Sequence, residues 1–278
     1  MDIRLVVTDL DGTLLDANRE ISPRTARALL ACRARGVIVA FASGRSFEAV
    51  RPFALGIGLR ECVIISSNGA RIDASAEGPV VFGNCLPEAL AREAAHRLVE
   101  AGLYVECYSD EHIYMANRTP MRFRHHAPGF NADGTVEFVE DVARLLSEGP
   151  KKARKLIVFS DEQSRIDVAR SCLRGLPLSL SQSGSDNLEI MREGAGKGRA
   201  VRWLARTRGI ARENIMAFGD QTNDLDMLRE AGWPVAMENA VDEVRRCARL
   251  IAPRHDDDGV ARVLETLARG DESDGSCL

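Results

Sequence analysis

The sequence predicts an α/β protein: a parallel sheet with helices on both faces, interrupted by an inserted unit of α+β character. Three observations lead there. Short apolar runs alternate with helix-spaced segments at both ends of the chain, the joints between successive strands are too long for hairpins, and the alternation breaks down between Phe82 and Asp186.

Leu5 to Thr8 reads as a buried strand. Ser22-Pro23 supplies an N-cap followed by the residue best tolerated in the first helical turn; Ala26, Leu29, Leu30 and Ala34 continue at helical spacing, and Gly36 stops the helix. Val37 to Phe41 is a second buried strand. The two form a βαβ unit, so they run parallel and bring their carboxyl ends to one edge of the sheet. Ser46 to Ala54 reads as a helix, Cys62 to Ser66 as a third strand, and Ser67-Asn68-Gly69-Ala70 as a turn.

Beyond Phe82 the order becomes helix (Pro87 to Ala101), alternating strands (Leu103 to Tyr108, His112 to Ala116), helix, strand (Leu156 to Ser160), helix, strand, the pattern of a separate α+β unit. Parallel rhythm then resumes: helix Gly198 to Arg208, strand Asn214 to Phe218, helix Asn223 to Ala231, strand Val235 to Met237, helix Val241 to Ala248, and a last helix from Asp257. The expected division is a core of residues 1–82 and 187–278 around an insertion of 83–186. The tail Gly270 to Leu278 is polar, short of apolar residues and expected to be disordered.

A chain of 278 residues with 45% hydrophobic content supports two domains. Net charge is −4 and the basic residues are scattered, which argues against a platform for nucleic acid or an acidic membrane and favours a small-molecule partner. Apolar runs such as Val37 to Ala42 are far too short to span a bilayer, and Met1-Asp2-Ile3-Arg4 leads into a strand without a signal-like segment, so a cytoplasmic location is expected. Seven cysteines form no Cys-x-x-Cys pair and read as reduced thiols rather than zinc ligands or disulfides. The sequence carries no signature of oligomeric state.

Asp9 and Asp11 close the first strand. In an extended segment, residues two apart project to the same side, and Gly12 then lets the backbone turn. Ligands of open parallel sheets bind beyond the carboxyl ends of strands, so paired acids here are placed for chemistry; a polar strand-to-loop exit is the other reading. The second strand exits as Ala42-Ser43-Gly44-Arg45, a hydroxyl and amides suited to phosphate oxygens, though Ser-Gly is also an ordinary loop. Gly219-Asp220-Gln221-Thr222-Asn223-Asp224 follows another apolar strand; with Asp9 it offers a hard oxygen-ligand site for Mg²⁺, while Asn223-Asp224 alone is explained by helix capping. Lys197 stands among glycines, either an exposed loop or a cation delivered to the same edge.

In this order, and with a large insertion between the second and third, Asp9-Leu10-Asp11-Gly12-Thr13, Ser43-Gly44-Arg45, Lys197-Gly198 and Gly219-Asp220-Gln221-Thr222-Asn223-Asp224 resemble the four motifs of the haloacid dehalogenase superfamily of phosphohydrolases, nearest to its Cof-type subfamily. Ser66 to Ala70, Val235 to Ala240 and Asp258-Gly259-Val260 are lesser matches. The insertion matches the family's cap in size and position only. Gln221-Thr222, Glu238 and Trp233-Pro234 depart from the commonest family residues, at positions where the family places no chemistry.

The resemblance implies a Rossmann-like core with a cap, and a Mg²⁺-dependent phosphatase acting on a small phosphorylated metabolite, a sugar phosphate first, with nucleotide or cofactor phosphates in range. It implies Asp9 as nucleophile, Asp11 as acid and base, and Lys197 as a source of positive charge. Mg²⁺ would be held by the Asp9 carboxylate, the Asp11 carbonyl and Asp220, with Asp224 either a further ligand or a support behind them, and the phosphate by Gly12, Ser43, Gly44 and Asn223. A cap closing over the site would set specificity. Arg118, Arg122, Arg124, His125 and His126 are candidate substrate contacts, but they and Lys151-Lys152-Ala153-Arg154-Lys155 read as solvated faces. A phosphosugar mutase is the enzyme alternative. A ligand-sensing protein would be expected to lack one of Asp9, Asp11, Lys197 or Asp220, and all four are present.

Overall fold

Val6 faces one apolar layer and Leu5 and Val7 the other, so the first strand, β1 (Leu5–Thr8), must be covered on both sides. In the computed structural model, which describes residues 2–110, 112–117, 136–149, 152–182, 184 and 186–269, β1 lies inside an eight-stranded sheet. Ser22 caps the next helix, α1 (Pro23–Ala34), by accepting from the Thr25 N–H, and β2 (Ile38–Ala42) returns parallel to β1. Helix α2 (Phe47–Gly56) and strand β3 (Val63–Ser66) repeat the unit. After a 3-10 turn at Ser67–Gly69 comes an antiparallel hairpin that periodicity does not reveal, β4 (Arg71–Asp73) and β5 (Val80–Gly83). Strand β4, at three residues, has no room to display alternation, and among the described residues β5 pairs only with it.

Residues 84–195 form a second compact unit. It contains α3 (Glu88–Glu100), β6 (Val105–Tyr108), β7 (Ile113–Ala116), β8 (Val136–Val139), α4 (Val142–Glu148), β9 (Lys155–Phe159), α5 (Gln163–Cys172), β10 (Leu178–Ser181) and β11 (Asn187–Arg192). Its sheet runs β10-β11-β9-β6-β7-β8, and Leu98, Leu146 and Ile166 from the three helices pack on Val105, Val158 and Ile190. Because β11 pairs with both β9 and β10, residues 187–195 belong to this unit, and the chain re-enters the first at Gly196 rather than at Asn187. Arg154 and Lys155 do not sit on a solvated face. Lys155 opens β9, which is interior to the sheet, and Arg154 immediately precedes it; both are buried, Arg154 in a two-point pair with Asp110 (2.7 and 2.8 Å) and Lys155 on Glu189 (2.5 Å). Arg118, Arg122, Arg124, His125, His126, Lys151 and the tail 270–278 lie outside the described residues.

From Gly196 the alternation resumes with α6 (Lys197–Arg208), β12 (Ile215–Gly219), α7 (Leu225–Glu230), β13 (Trp233–Met237), α8 (Asp242–Cys247), β14 (Leu250–Ala252) and α9 (Gly259–Arg269). The sheet order is β14-β13-β12-β1-β2-β3-β4-β5, parallel from β14 through β3. On one face Leu29, Phe47, Val50 and Leu264 cover Val6, Phe41 and Phe218; on the other Leu204, Met227, Leu228 and Val244 cover Val7, Ala40 and Ala217. Each such large side chain contributes about 1.5–3 kcal/mol on burial, which makes β1, β2 and β12 a stiff frame. Their carboxyl ends share one edge, and the loops leaving it hold the motif residues. Among the described residues no helix is long and apolar enough to cross a membrane, and the cysteines are free thiols.

Candidate active site

The Asp9 N–H continues the ladder of β1 to the Phe218 carbonyl (3.0 Å), after which the N–H groups of Thr13, Leu14 and Leu15 all turn onto the Leu10 carbonyl. The extended segment therefore stops before Asp11, and the same-side pairing expected of the two acids does not form. Asp9 is buried, whereas the Asp11 side chain is 52% exposed and clamped by Arg45, with Nε donating to Oδ2 at 2.8 Å and Nη2 to Oδ1 at 2.5 Å. Gly12 makes the turn possible on two counts. Its φ is 78°, and a Cβ there would run into the Asp220 carboxylate. Its carbonyl is held by Asn239 Nδ2 (2.8 Å).

Lys197 opens α6 and is 0% exposed, which excludes the exposed-loop reading. Nζ donates to Asp9 Oδ1 at 2.5 Å and to Asp224 Oδ1 at 2.6 Å. The flanking glycines are there for space: a Cβ on Gly196 would collide with the Asp226 carboxylate, and one on Gly198 with the Asp226 carbonyl. The Gly198 N–H also donates to Asp226 Oδ2 (2.9 Å), which ties the start of α6 to α7.

Asp224 closes the loop after β12. Its Oδ2 accepts from the N–H groups of Asp220 (3.0 Å) and Gln221 (3.1 Å), while its Oδ1 faces Lys197, so capping and charge pairing are done by one carboxylate. Asp220 accepts from the Thr13 hydroxyl (2.9 Å) and from Gln221 Nε2 (3.4 Å). One oxygen each from Asp9, Asp220 and Asp224 lies within 4.8 Å of the others, and all three residues are buried.

Three carboxylates share one lysine there. Burial pushes Asp9 well above the ordinary carboxylate range; Lys197 opposes this, and Asp224, Asp220 and Asp11 add to it. Burial, together with repulsion from Asp224, lifts Asp220 to about 6. Burial works against the charge on Lys197, but Asp224 and Asp9 more than offset it, so the ammonium keeps its proton. A set of buried oxygen donors short of positive charge, with no nitrogen or sulfur among them, fits a hard divalent cation such as Mg²⁺.

Ser43 lies buried at the end of β2, with its N–H on the Ile65 carbonyl (2.9 Å) and its Oγ accepting from the Arg45 N–H (3.2 Å). Gly44 follows in the same loop. Asn223 sits in the 3-10 turn Thr222–Asp224 and donates through Nδ2 to Asn68 Oδ1 (3.4 Å). The structure thus brings Asp9, Lys197, Asp220 and Asp224 into direct contact or close range, links Ser43 and Asn223 to the common neighbour Asn68, and sets Asp11 apart on Arg45. Five further side chains take part without a role assigned from the sequence: Arg45 and Thr13, which stand inside motifs; Asn68 and Asn239, inside the lesser matches Ser66 to Ala70 and Val235 to Ala240; and Asp226, for which no local signal exists.

A family model described as haloacid dehalogenase-like hydrolase matches residues 6–264. The chain is 25% identical over 287 residues to the 5-amino-6-(5-phospho-D-ribitylamino)uracil phosphatase YwtE of Bacillus subtilis, covering 96% of this chain and 99% of the relative. It is 30% identical over 244 residues to the HMP-PP phosphatase of Cronobacter sakazakii, covering 87% and 86%. A solved haloacid dehalogenase-like hydrolase from Bacteroides thetaiotaomicron matches it with a TM-score of 0.82 at 26% identity, covering 95% of this chain and 99% of that one.

Proposed function

The chain belongs to the haloacid dehalogenase-like hydrolases and is a phosphatase, and on that premise we propose that it hydrolyses a small phosphorylated metabolite, with Mg²⁺, through an aspartyl phosphate on Asp9. Lys197 carries this reading: a buried ammonium shared by Asp9 and Asp224 where the central strand ends. A carboxylate meets an anionic phosphate only where positive charge is already fixed, and Lys197 is held by two ion pairs before substrate arrives. Mg²⁺, held by Asp9 and Asp220, would supply further positive charge to the phosphate oxygens. Asp224, with Oδ2 on the N–H groups of Asp220 and Gln221 and Oδ1 on Lys197, aims the lysine and the acidic loop and stands beside Asp9 and Asp220 as the third carboxylate near the ion.

In the first displacement an Asp9 oxygen bonds to phosphorus as the bond to the leaving-group oxygen breaks, and Asp11, entering the step protonated with one oxygen released from Arg45, gives its proton to that leaving-group oxygen. In the second, water attacks phosphorus, Asp11 takes its proton, and the bond to Asp9 breaks, leaving inorganic phosphate and the Asp9 carboxylate. Asp11 suits both turns because it is half exposed and outside the buried trio. The Ser43 hydroxyl, the Gly12 and Gly44 amides and Asn223 meet the phosphate oxygens.

The two relatives named above are called phosphatases of 5-amino-6-(5-phospho-D-ribitylamino)uracil and of HMP-PP, which share a phosphoryl group and little else by name. The phosphoryl chemistry is therefore the common part. We assign the choice of leaving group to the inserted unit and place sugar phosphates first. Phosphate release from a panel of sugar, nucleotide and cofactor phosphates, with Mg²⁺ and with EDTA, tests this. Turnover led by sugar phosphates and lost in EDTA is expected; no hydrolysis, or equal hydrolysis without metal, would overturn it.

A further inference from the structure

The turn after β3 has a conformation that only strong surroundings sustain. Ser67 (φ 50°), Asn68 (φ 49°) and Gly69 (φ 84°) are three left-handed residues in a row, two of them carrying side chains. A non-glycine residue in that region costs about 1–3 kcal/mol and persists where its neighbours over-determine it. Asparagine tolerates the region better than serine does. The turn is also buried, with Ser67 3% and Asn68 2% exposed, whereas a connection between strands ordinarily runs over the surface.

What surrounds it is the set of segments that make up the proposed site. The Ser67 N–H donates to the Arg45 carbonyl (2.8 Å), and the Asn68 N–H to the Ser43 carbonyl (3.0 Å), so the turn holds the loop after β2 at two points. The Asn68 Oδ1 accepts from Asn223 Nδ2 (3.4 Å). A Cβ on Gly69 would collide with the Gly196 carbonyl, which places the turn against the peptide just ahead of Lys197. Segments 43–45, 196–197 and 223 are far apart in the chain, and this one turn touches all three.

We infer that Asn68 is a positioning residue that fixes Asn223 and the Ser43 loop relative to one another, and so holds their donors at the spacing of phosphate oxygens. The inference rests on the reading of Ser43 and Asn223 as phosphate contacts. The left-handed backbone turns the Asn68 N–H to one segment and its side-chain oxygen to the other. Because that oxygen accepts, it also selects which end of the Asn223 amide faces the turn; among the described residues the buried Asn223 Oδ1 has no hydrogen-bond partner.

Asn68→Gly is the informative substitution, since glycine takes the same backbone conformation without strain and removes only the amide. Compare it with Asn223→Ala and with the double variant, in the presence of Mg²⁺, by two readouts: kcat/KM on a phosphate ester, and the rise in melting temperature caused by inorganic phosphate. Asn68→Gly should fold normally, lose about ten- to a hundredfold in kcat/KM, the worth of a hydrogen bond to a charged group, and lose most of the stabilisation by phosphate. The double variant should be no worse than the poorer single one, because both remove the same contact. Losses that multiply, or wild-type phosphate binding in Asn68→Gly, would overturn the inference. If Asn223→Ala itself binds phosphate and turns over normally, the phosphate-contact reading fails instead, and the two failures are distinguishable.

Discussion

Replacing Lys197 with methionine removes one charge from a cluster of four while keeping a flexible apolar stem of similar reach. The ammonium is 2.5 Å from Asp9 and 2.6 Å from Asp224, with Asp220 in the same group, so Lys197→Met leaves three buried carboxylates with no cation. Removing one partner of a buried pair costs about 3–5 kcal/mol. Part of that cost is recoverable, because the carboxyls can take up protons. Asp9 and Asp220 are already raised by burial and mutual repulsion, and loss of the lysine that opposes this raises them further. A carboxyl whose folded pKa lies above its unfolded value of about 3.9 adds stability that is complete below that value and lost as pH rises through the folded one. The deficit of the variant should therefore be largest near pH 8 and shrink toward pH 5. Urea unfolding in EDTA at those two pH values measures it, and phosphate release should fall by about 10²–10³-fold in parallel. Equal urea midpoints for variant and wild type at pH 8 would refute the claim that Lys197 neutralises this cluster.

The same shifts predict that the metal-free wild type loses stability as pH rises through about 6, the value to which Asp220 is lifted, and that Mg²⁺ flattens this dependence; calorimetric melts with EDTA and with Mg²⁺ across pH 4.5 to 7.5 test it. Asp9→Asn should abolish turnover, by at least about 10⁴-fold, with circular dichroism unchanged, and near-normal phosphate release would refute Asp9 as nucleophile. Arg45→Ala should change stability by less than about 1 kcal/mol, because the pair with Asp11 is partly exposed (22% and 52%) and screened. It should slow alkyl phosphates by about tenfold or more, as expected when a general acid is misplaced, and slow para-nitrophenyl phosphate far less, because that leaving group needs little protonation. An equal loss on both would show that Arg45 acts elsewhere than through Asp11.

Most of the architecture was legible because it is written in short-range pattern. Leu5 to Thr8 announces a strand covered on both faces, Ser22-Pro23 starts a helix by its own chemistry, and Asp9, Ser43 and Asp220 each follow an apolar strand that parallel topology brings to one edge. Where elements are too short for a period, as in the three-residue β4 and β14, local pattern is silent. Strand β11 falls within the second unit and not the core that the sequence predicts, because its apolar run is compatible with either sheet and only its pairing with β9 and β10 decides.

The sequence by itself determined the fold class, the order of the motifs and the residue types that gather at the sheet edge, since these depend on periodicity, turn chemistry and chain direction. Tertiary structure alone decided which acid is buried and which is clamped by Arg45, that Lys197 is enclosed rather than exposed, that Arg154 and Lys155 are interior, and that Asn68 joins segments that do not adjoin in the chain. The physical reason is range. Charge pairing and burial are settled by partners such as Asp9 and Lys197, which are 188 positions apart, and no local window contains both.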